Sequence, residues 1–563
     1  MTGMTAGGAI LARLKALGIT HVLANSGTDF PPIIEGLAEA QARGIALPRA
    51  VTVPHEHAAM GMALGAWLMT GRPQAVMLHT NVGLANGAIG ALNAACEQAP
   101  LMLMSGRTPV TEGGRFGARS VPIGWGQEMR DQHALVRESV KWDYELRFPE
   151  QVGPLLDRAL AIAASTPAGP VYLSLPREVL CAPVDPAPLA APPAIAPAIT
   201  APDPAAVERA ARLIAVARAP LVIAQRGAGD EASFAAFAGW VEEWGIAVSS
   251  WWATRLAIPT DHPCHVGADP GPALAEADVV IVLDCLAPWW PDRHAPDPQS
   301  RIIQIGPDPL YARYPVRGFR SDVTLAGETG LCLAALIDAM RGMARDAAAI
   351  AARRERLAAV AARERARLAA LAEAGAGAPM SRAWIGHCLS QALEGLPATV
   401  FSELGLPLET LTRRDRLSWF QEPFAGGLGW SVPAALGAKM ACPDRVIVAT
   451  PGDGSYIFAN PTACHQVAEA LGLGIVILVI NNGEWGAVRK SVTQLYPDGH
   501  AARANRMPLT ALEPVPDFTL TARASRAHAE TVTDGAALPA ALGRALAAAA
   551  EGRQALLDLR VAD

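Results

Sequence analysis

Short runs of aliphatic and β-branched residues alternate with helix-period segments along almost the whole chain. That alternation restricts the fold to parallel sheets covered by helices. In a first block the runs fall at residues 22–24, 50–53, 75–78, 101–104 and 171–175. A second block has them at 220–224, 279–283 and 301–305, and a third at 399–401, 446–450, 475–480 and 555–559. Two stretches break the pattern. Residues 182–204 are mostly Pro and Ala, too proline-rich for a helix or a central strand, so an extended connector is expected there. Residues 341–377 are Ala, Arg and Glu in a helical pattern with little apolar periphery, which reads as a solvated connecting helix. The expectation is an α/β protein of three doubly wound parallel-sheet domains, at 1–181, 205–340 and 378–563. A chain of 563 residues is in any case too long for a single core.

Composition removes several classes of function. The net charge of −6 is too mild for a polyanion partner, so no nucleic-acid ligand is expected. The longest clean apolar run, residues 471–480, contains two glycines and is about half of what a membrane-spanning helix needs. It reads as a buried strand. Arg13 and Lys15 sit inside a helical pattern with no export-type leader, and the expected location is the cytoplasm. Eight cysteines without a Cys-x-x-Cys pair argue against a zinc site or a disulfide framework.

The chemistry concentrates in the third block. The run at 446–450 ends in Pro451-Gly452-Asp453-Gly454-Ser455, and 26 residues separate Gly454 from Asn481-Asn482 at the end of the next run. A strand, a return helix over about 460–471 and a neighbouring parallel strand would set the two C-terminal strand ends side by side, roughly 5 Å apart. Asp453 and Asn482 could then share one cation. Carboxylate and amide oxygens suit Mg²⁺ or Ca²⁺, and a bound diphosphate would complete an octahedral shell. Glycines beside Asp453 let backbone amides approach such an anion. Alone, a Gly-Asp-Gly is a turn and an Asn-Asn-Gly a loop; strand context and spacing together point to a cofactor site.

This pairing resembles the cofactor motif of the thiamine-diphosphate family of 2-oxo-acid decarboxylases and acetohydroxyacid (acetolactate) synthases. The resemblance implies thiamine diphosphate and Mg²⁺ or another divalent cation as cofactors. Asp453 and Asn482 would ligate the metal through side chains and Glu484 through its backbone carbonyl. Gly452, Gly454 and Ser455 would lie at the diphosphate. Upstream, Gly426-Gly427-Leu428-Gly429-Trp430 is similar to the segment that supports the bent cofactor: Leu428 matches the apolar wedge between its rings, and Gly426 the carbonyl that accepts from the aminopyrimidine. Without the resemblance Leu428 is an ordinary core leucine.

Val53-Pro54-His55-Glu56-His57 ends a strand and opens an apolar helix. An acid in the first turn suits the helix dipole; the resemblance gives Glu56 the further role of hydrogen-bonding N1′ of the aminopyrimidine and so activating the cofactor. Burial would raise its pKa and favour proton sharing. His79, in Leu78-His79-Thr80-Asn81, departs from the synthases and resembles the benzoylformate-decarboxylase branch, where a histidine transfers protons at the substrate; a capping histidine is the plain alternative. Gly126-Gln127-Glu128 resembles a substrate segment of the family with one residue inserted, so Gln127 is the candidate and Gln132 its competitor. Asp29 matches a loop that is acidic in pyruvate decarboxylases, and equally suits a helix cap.

Two departures narrow the type. Val488 stands where the pyruvate-decarboxylase branch has a catalytic glutamate, and Ser491 where plant and yeast synthases have a tryptophan over the substrate. Trp251, Trp252, Trp289 and Trp290 in the middle block are packing aromatics or the walls of a crevice. No flavin (FAD) site is read there, although some relatives carry one. In the family, Glu56 and the metal motif meet across a subunit interface, which implies a homodimer or homotetramer.

The leading reading is acetolactate-synthase-like: decarboxylation of a 2-oxo acid, carboligation through an acyl-anion equivalent, or both. The alternatives are a lyase cleaving a 2-hydroxy ketone or diketone, a benzoylformate-type decarboxylase, and a non-catalytic cofactor-binding subunit. His55, His57 and His79 around one site suit either a decarboxylase or a lyase. A nicotinamide dehydrogenase is disfavoured because no Gly-x-Gly-x-x-Gly follows the first strand.

Overall fold

Three parallel sheets follow one another along the chain in a computed structural model that describes residues 4–185, 187–504 and 506–562. The first runs, edge to edge, Arg49–Thr52, His21–Ala24, Gln74–Leu78, Leu101–Arg107, Val171–Pro176 and Asp143–Glu145. The middle sheet runs Ala247–Ser249, Pro220–Ala224, Val279–Leu283, Arg301–Gly306 and Val323–Ala326. The third runs Trp419–Gln421, Ala398–Glu403, Val446–Pro451, Val476–Asn481, Ala555–Arg560 and His528–Val532. Central strands such as Val279–Leu283 and Val476–Asn481 are buried along their whole length, as strands with helices on both faces must be.

The first and third sheets share one strand order. In each, the first strand lies between the second and the third, so chain direction across the sheet reverses beside it. Loops leaving the carboxyl ends at such a point part to opposite faces and open a crevice. In the first sheet that crevice is bounded by the residues after Ala24 and Leu78, in the third by those after Glu403 and Pro451.

In the three parallel sheets, five described strands escape the sequence patterns: Asp143–Glu145, Ala247–Ser249, Val323–Ala326, Trp419–Gln421 and His528–Val532. Every one is a sheet edge. Edge strands are short and pair on one side only, so they lack the continuous apolar run of a central strand.

The connectors are tied down more than their composition suggests. Pro183–Val184 pairs antiparallel with Met4–Thr5. Beyond it, buried Arg13 donates to both oxygens of Asp157 at 2.6 and 2.7 Å and to the carbonyls of Leu189 and Ala191 at 2.8 and 2.5 Å. The connecting helix Ala347–Ala374 is largely exposed, but Arg353 donates to the carbonyls of Trp244 and Ala217 at 2.8 and 3.1 Å and anchors it to the middle sheet's layer. Among the described residues no helix is long and apolar enough to cross a membrane.

The first and third domains meet through the helices that follow their second strands, Glu56–Thr70 and Ser431–Ala441. Glycine makes the contact close. A Cβ at Gly65 would lie 2.0 Å from the carbonyl oxygen of Ala434, and one at Gly437 would lie 1.9 Å from that of Met62. Both helices start at the same end of this contact, which brings Glu56 and the 426–430 loop to one side of the molecule.

Candidate active site

Strands Val446–Pro451 and Val476–Asn481 are parallel neighbours, and a bridge from Gly452 to Ile480 carries the pairing to their carboxyl ends. The return path is the short helix Asp453–Phe458 followed by Pro461–Leu471. Asp453 is buried, and its two oxygens accept from the amides of Gly454 at 2.8 Å and Gly483 at 2.7 Å. Burial pushes its carboxyl above the usual range, while the amides of Gly454, Gly483 and Asn482 oppose the shift. Of the two asparagines, Asn481 is buried and donates to Asp558 at 2.7 Å, so it belongs to the sheet. Asn482 stands past the strand end, its Oδ1 accepting from the amide of Glu484 at 3.3 Å. Desolvated carboxylate, side-chain amide and an adjoining backbone turn form an oxygen donor set that fits a hard divalent cation. Gly454 has no room for a side chain: a Cβ there would lie 2.3 Å from the Trp485 ring. Ser455 is buried in the same turn.

The 426–430 loop is gripped from both domains. Asn93 donates to the Gly427 carbonyl at 2.8 Å and accepts from its amide at 3.2 Å. His57 donates through Nε2 to the Leu428 carbonyl at 2.8 Å; burial lowers its pKa, so it acts as a neutral donor. Gly426 and Gly429 have φ of +67° and +81°, a backbone state that glycine adopts without cost. Leu428 is partly exposed, unlike an ordinary core leucine. Beneath the loop, fully buried Glu403 accepts from the amides of Gly429, Trp430 and Ser431 at 2.6, 2.9 and 2.7 Å. It closes the amino end of helix Ser431–Ala441, and burial raises its carboxyl to about 7 despite these bonds. Neither Asn93 nor Glu403 was singled out in the sequence. The only signal for Glu403 is an acid ending an apolar run.

In the first domain, Glu56 opens its helix and accepts from the side-chain amides of Asn25 at 2.9 Å and Asn86 at 2.5 Å. His79 follows strand Gln74–Leu78, which lies on the other side of His21–Ala24 from Arg49–Thr52, and precedes helix Thr80–Cys96. Its Nδ1 lies 2.5 Å from Oδ1 of buried Asp29, whose Oδ2 takes the Thr80 amide at 3.2 Å. Its Nε2 lies 3.1 Å from the side-chain nitrogen of Gln127. The Asp29 hydrogen bond raises the His79 pKa above its ordinary value, against a smaller opposing effect of burial. The cradle is tight, since a Cβ at Gly106 would meet Asp29 Oδ2 at 1.6 Å and one at Gly27 would meet His79 Nδ1 at 2.1 Å. Asp29 is therefore a partner of His79 and not the cap of helix Pro31–Arg43, which has no side-chain cap. Gln132 lies elsewhere: it is buried and donates to Ser105, the Gly106 carbonyl and Tyr172, all at 2.9 Å. His55 flanks Glu56, and burial lowers its pKa.

Val488 is exposed on helix Gly486–Leu495, which also carries Ser491. At the corresponding point of the middle sheet, the residues after the first strand are bonded to other parts of the protein. Gln225 donates to the carbonyls of Trp251 and Ala287 at 3.1 and 2.9 Å, and buried Arg226 sits 3.5 Å from Asp284 and 3.8 Å from Glu97 of the first domain. Trp289 is packed edge-on against Phe319, while Trp252 is half exposed.

Comparison with known proteins also finds three domains in this order. Models of the N-terminal TPP binding domain, the central domain and the C-terminal TPP binding domain of thiamine pyrophosphate enzymes match residues 4–135, 207–336 and 408–559. A probable 2-ketoarginine decarboxylase of Pseudomonas aeruginosa is 29% identical over 92% of this chain and 88% of its own length. A benzoylformate decarboxylase of the same organism is 27% identical over 84% and 85%. A probable acetolactate synthase of Mycobacterium bovis is 28% identical over 97% and 94%. The fold is that of a Rhodococcus jostii thiamine diphosphate-dependent 4-hydroxybenzoylformate decarboxylase, with a TM-score of 0.78, 22% identity and 99% of both chains covered. With all three domains present in order, the chain belongs to the thiamine pyrophosphate enzymes and is a thiamine-diphosphate-dependent enzyme of the group that holds 2-oxo-acid decarboxylases and acetolactate synthases.

Proposed function

We propose that the enzyme decarboxylates a 2-oxo acid and closes the acyl carbon with a proton delivered by His79. The observation that carries this reading is the chain of contacts from Asp29 through His79 to Gln127 beside Glu56. Asp29 accepts from Nδ1 and favours the imidazolium; the Gln127 amide nitrogen now donates to Nε2, and once Nε2 takes a proton the Gln127 oxygen can turn to accept it, so that Nε2–H is the acid. When bound, thiamine diphosphate supplies the nucleophilic carbon and the electron sink that allow a carboxylate to leave from beside a carbonyl. Asp453, Asn482 and the Glu484 carbonyl would hold Mg²⁺, with Gly452, Gly454 and Ser455 at the diphosphate. The Gly426 carbonyl and the Leu428 side chain would support the pyrimidine end, and Glu56, fixed by Asn25 and Asn86, would share a proton with its ring nitrogen.

The protomers pair, with Glu56 of one facing the metal motif of the other. Supporting this, large apolar side chains lie exposed next to both motifs: Val82 and Leu92 on helix Thr80–Cys96, and Ile457 and Phe458 just after Asp453. The relatives' names set the screen. Protein loaded with thiamine diphosphate and Mg²⁺ is assayed for CO₂ and aldehyde from 2-ketoarginine, benzoylformate and pyruvate, and again as Glu56→Gln. Turnover should fall by about 10²–10⁴-fold in the variant; unaltered turnover overturns the reading. Mixing inactive Glu56→Gln and Asp453→Ala proteins restores activity only if sites are shared between protomers.

A further inference from the structure

Acids follow the second strand of both outer sheets: Glu56 after Arg49–Thr52 and Glu422 after Trp419–Gln421. Their surroundings differ. Both oxygens of Glu56 are hydrogen-bonded, whereas Oε2 of Glu422 is buried and, among the described residues, accepts nothing. The charged group acting on Glu422 is another acid, Glu403, at the end of the adjacent strand. Glu403 already has three amides, so it offers Glu422 repulsion and no donor. Burial, then Glu403, push the Glu422 carboxyl up to about 8, against the backbone amides of Glu422 and Leu404.

A buried carboxyl of this kind is satisfied by keeping its proton or by meeting a cation, and isolated buried charge is costly. Its position says which ligand it can meet. It lies at the carboxyl end of the third sheet, four residues before Gly426. Two strand spacings, about 10 Å, separate its strand end from Gly452. Glu422 thus stands away from the diphosphate motif, on the side of the crevice that only the far end of a substrate's side chain would reach.

We propose that Glu422 is a specificity-determining residue that receives a cationic group, an ammonium or guanidinium, at the far end of the substrate's side chain. The proposal rests on the reading of the protein as a 2-oxo-acid decarboxylase. Binding such a group displaces the carboxyl proton to solvent and leaves a carboxylate paired with the cation, with Glu403 adding to the attraction. Glutamine keeps the shape of Glu422 and removes the charge.

The test compares 5-guanidino-2-oxopentanoate with 2-oxoheptanoate as substrates, and measures n-propylguanidinium binding to the loaded enzyme by calorimetry. For the native protein kcat/KM should favour the guanidino acid by roughly 30-fold or more, the worth of a desolvated charge pair. In Glu422→Gln that ratio should collapse toward unity and propylguanidinium should bind at least about 10-fold more weakly. Glu422→Asp should retain part of the preference. Equal treatment of the two acids by the native protein, together with propylguanidinium binding that does not change in Glu422→Gln, overturns the proposal. If neither acid is turned over but propylguanidinium binding still depends on Glu422, the decarboxylase reading fails and the cation site stands.

Discussion

Replacing Asp29 by Asn changes one charge at almost constant volume and so weakens what the carboxylate does for His79. In the native protein the buried carboxylate bonds Nδ1 at 2.5 Å and the Thr80 amide at 3.2 Å. Asparagine can still accept from Nδ1 through its one oxygen, so a charged hydrogen bond becomes a neutral one, while its NH2 faces the Thr80 amide and that longer bond is lost. A bond to a charged group is worth about 1.5–3 kcal/mol and a neutral one about 0.5–1.5. The difference, about 1–2 kcal/mol, corresponds to a fall of roughly 5- to 30-fold in kcat/KM if the imidazolium is the acid. The pH dependence gives the sharper reading. Asp29 raises the His79 pKa, so the protonated form persists to higher pH and activity is lost as pH rises through that pKa. Without the carboxylate the alkaline limb of the kcat/KM profile should move to lower pH. Stability follows the same sign: the contribution of the pair is complete below the unfolded histidine pKa and lost as pH rises through the raised folded one. Aldehyde release measured from about pH 5 to 9, with thermal unfolding as a check on the fold, tests this. A folded Asp29→Asn enzyme whose alkaline limb has not moved would refute the argument, and an equal loss at every pH would reduce Asp29 to a structural role.

Two further outcomes follow from the geometry. Asp453→Ala should weaken thiamine diphosphate binding by about 100-fold or more, and chelating divalent ions should mimic it; Trp485, packed on Gly454, provides the fluorescence signal. Gly65→Ala places a methyl 2.0 Å from the Ala434 carbonyl, so overpacking of about 1–3 kcal/mol should exceed the helix-propensity gain of about 1 and lower the melting temperature. A variant that melts higher would mean that the two helices are not in this contact.

The central strands of all three sheets were legible because a strand buried on both faces must be apolar throughout, as at residues 279–283 and 475–480. Of the edges only Arg49–Thr52 was, because strands such as Trp419–Gln421 or His528–Val532 can stay half polar. The same contrast runs through the site. Asp453, Asn482 and the glycines beside them are local to one strand-helix-strand unit, so spacing alone brings them together. Asp29 and His79 lie 50 residues apart, and Asn93 reaches Gly427 across 334. No pattern within a window relates such pairs, and only the packing of separate crossovers decides them.

The sequence by itself determined the class of fold, the strand-helix-strand unit at Asp453 and Asn482, and the acid that opens the first domain's apolar helix. Those depend on residue type and spacing within tens of residues. Tertiary structure decided which neighbours each acid keeps: amide donors for Glu56, an imidazole for Asp29, three backbone amides for Glu403, and for the buried oxygen of Glu422 none among the described residues. The reason is physical. A carboxyl group carries the same chemistry wherever it stands in the chain, and its proton affinity and role come from the solvent, charges and donors that folding places around it.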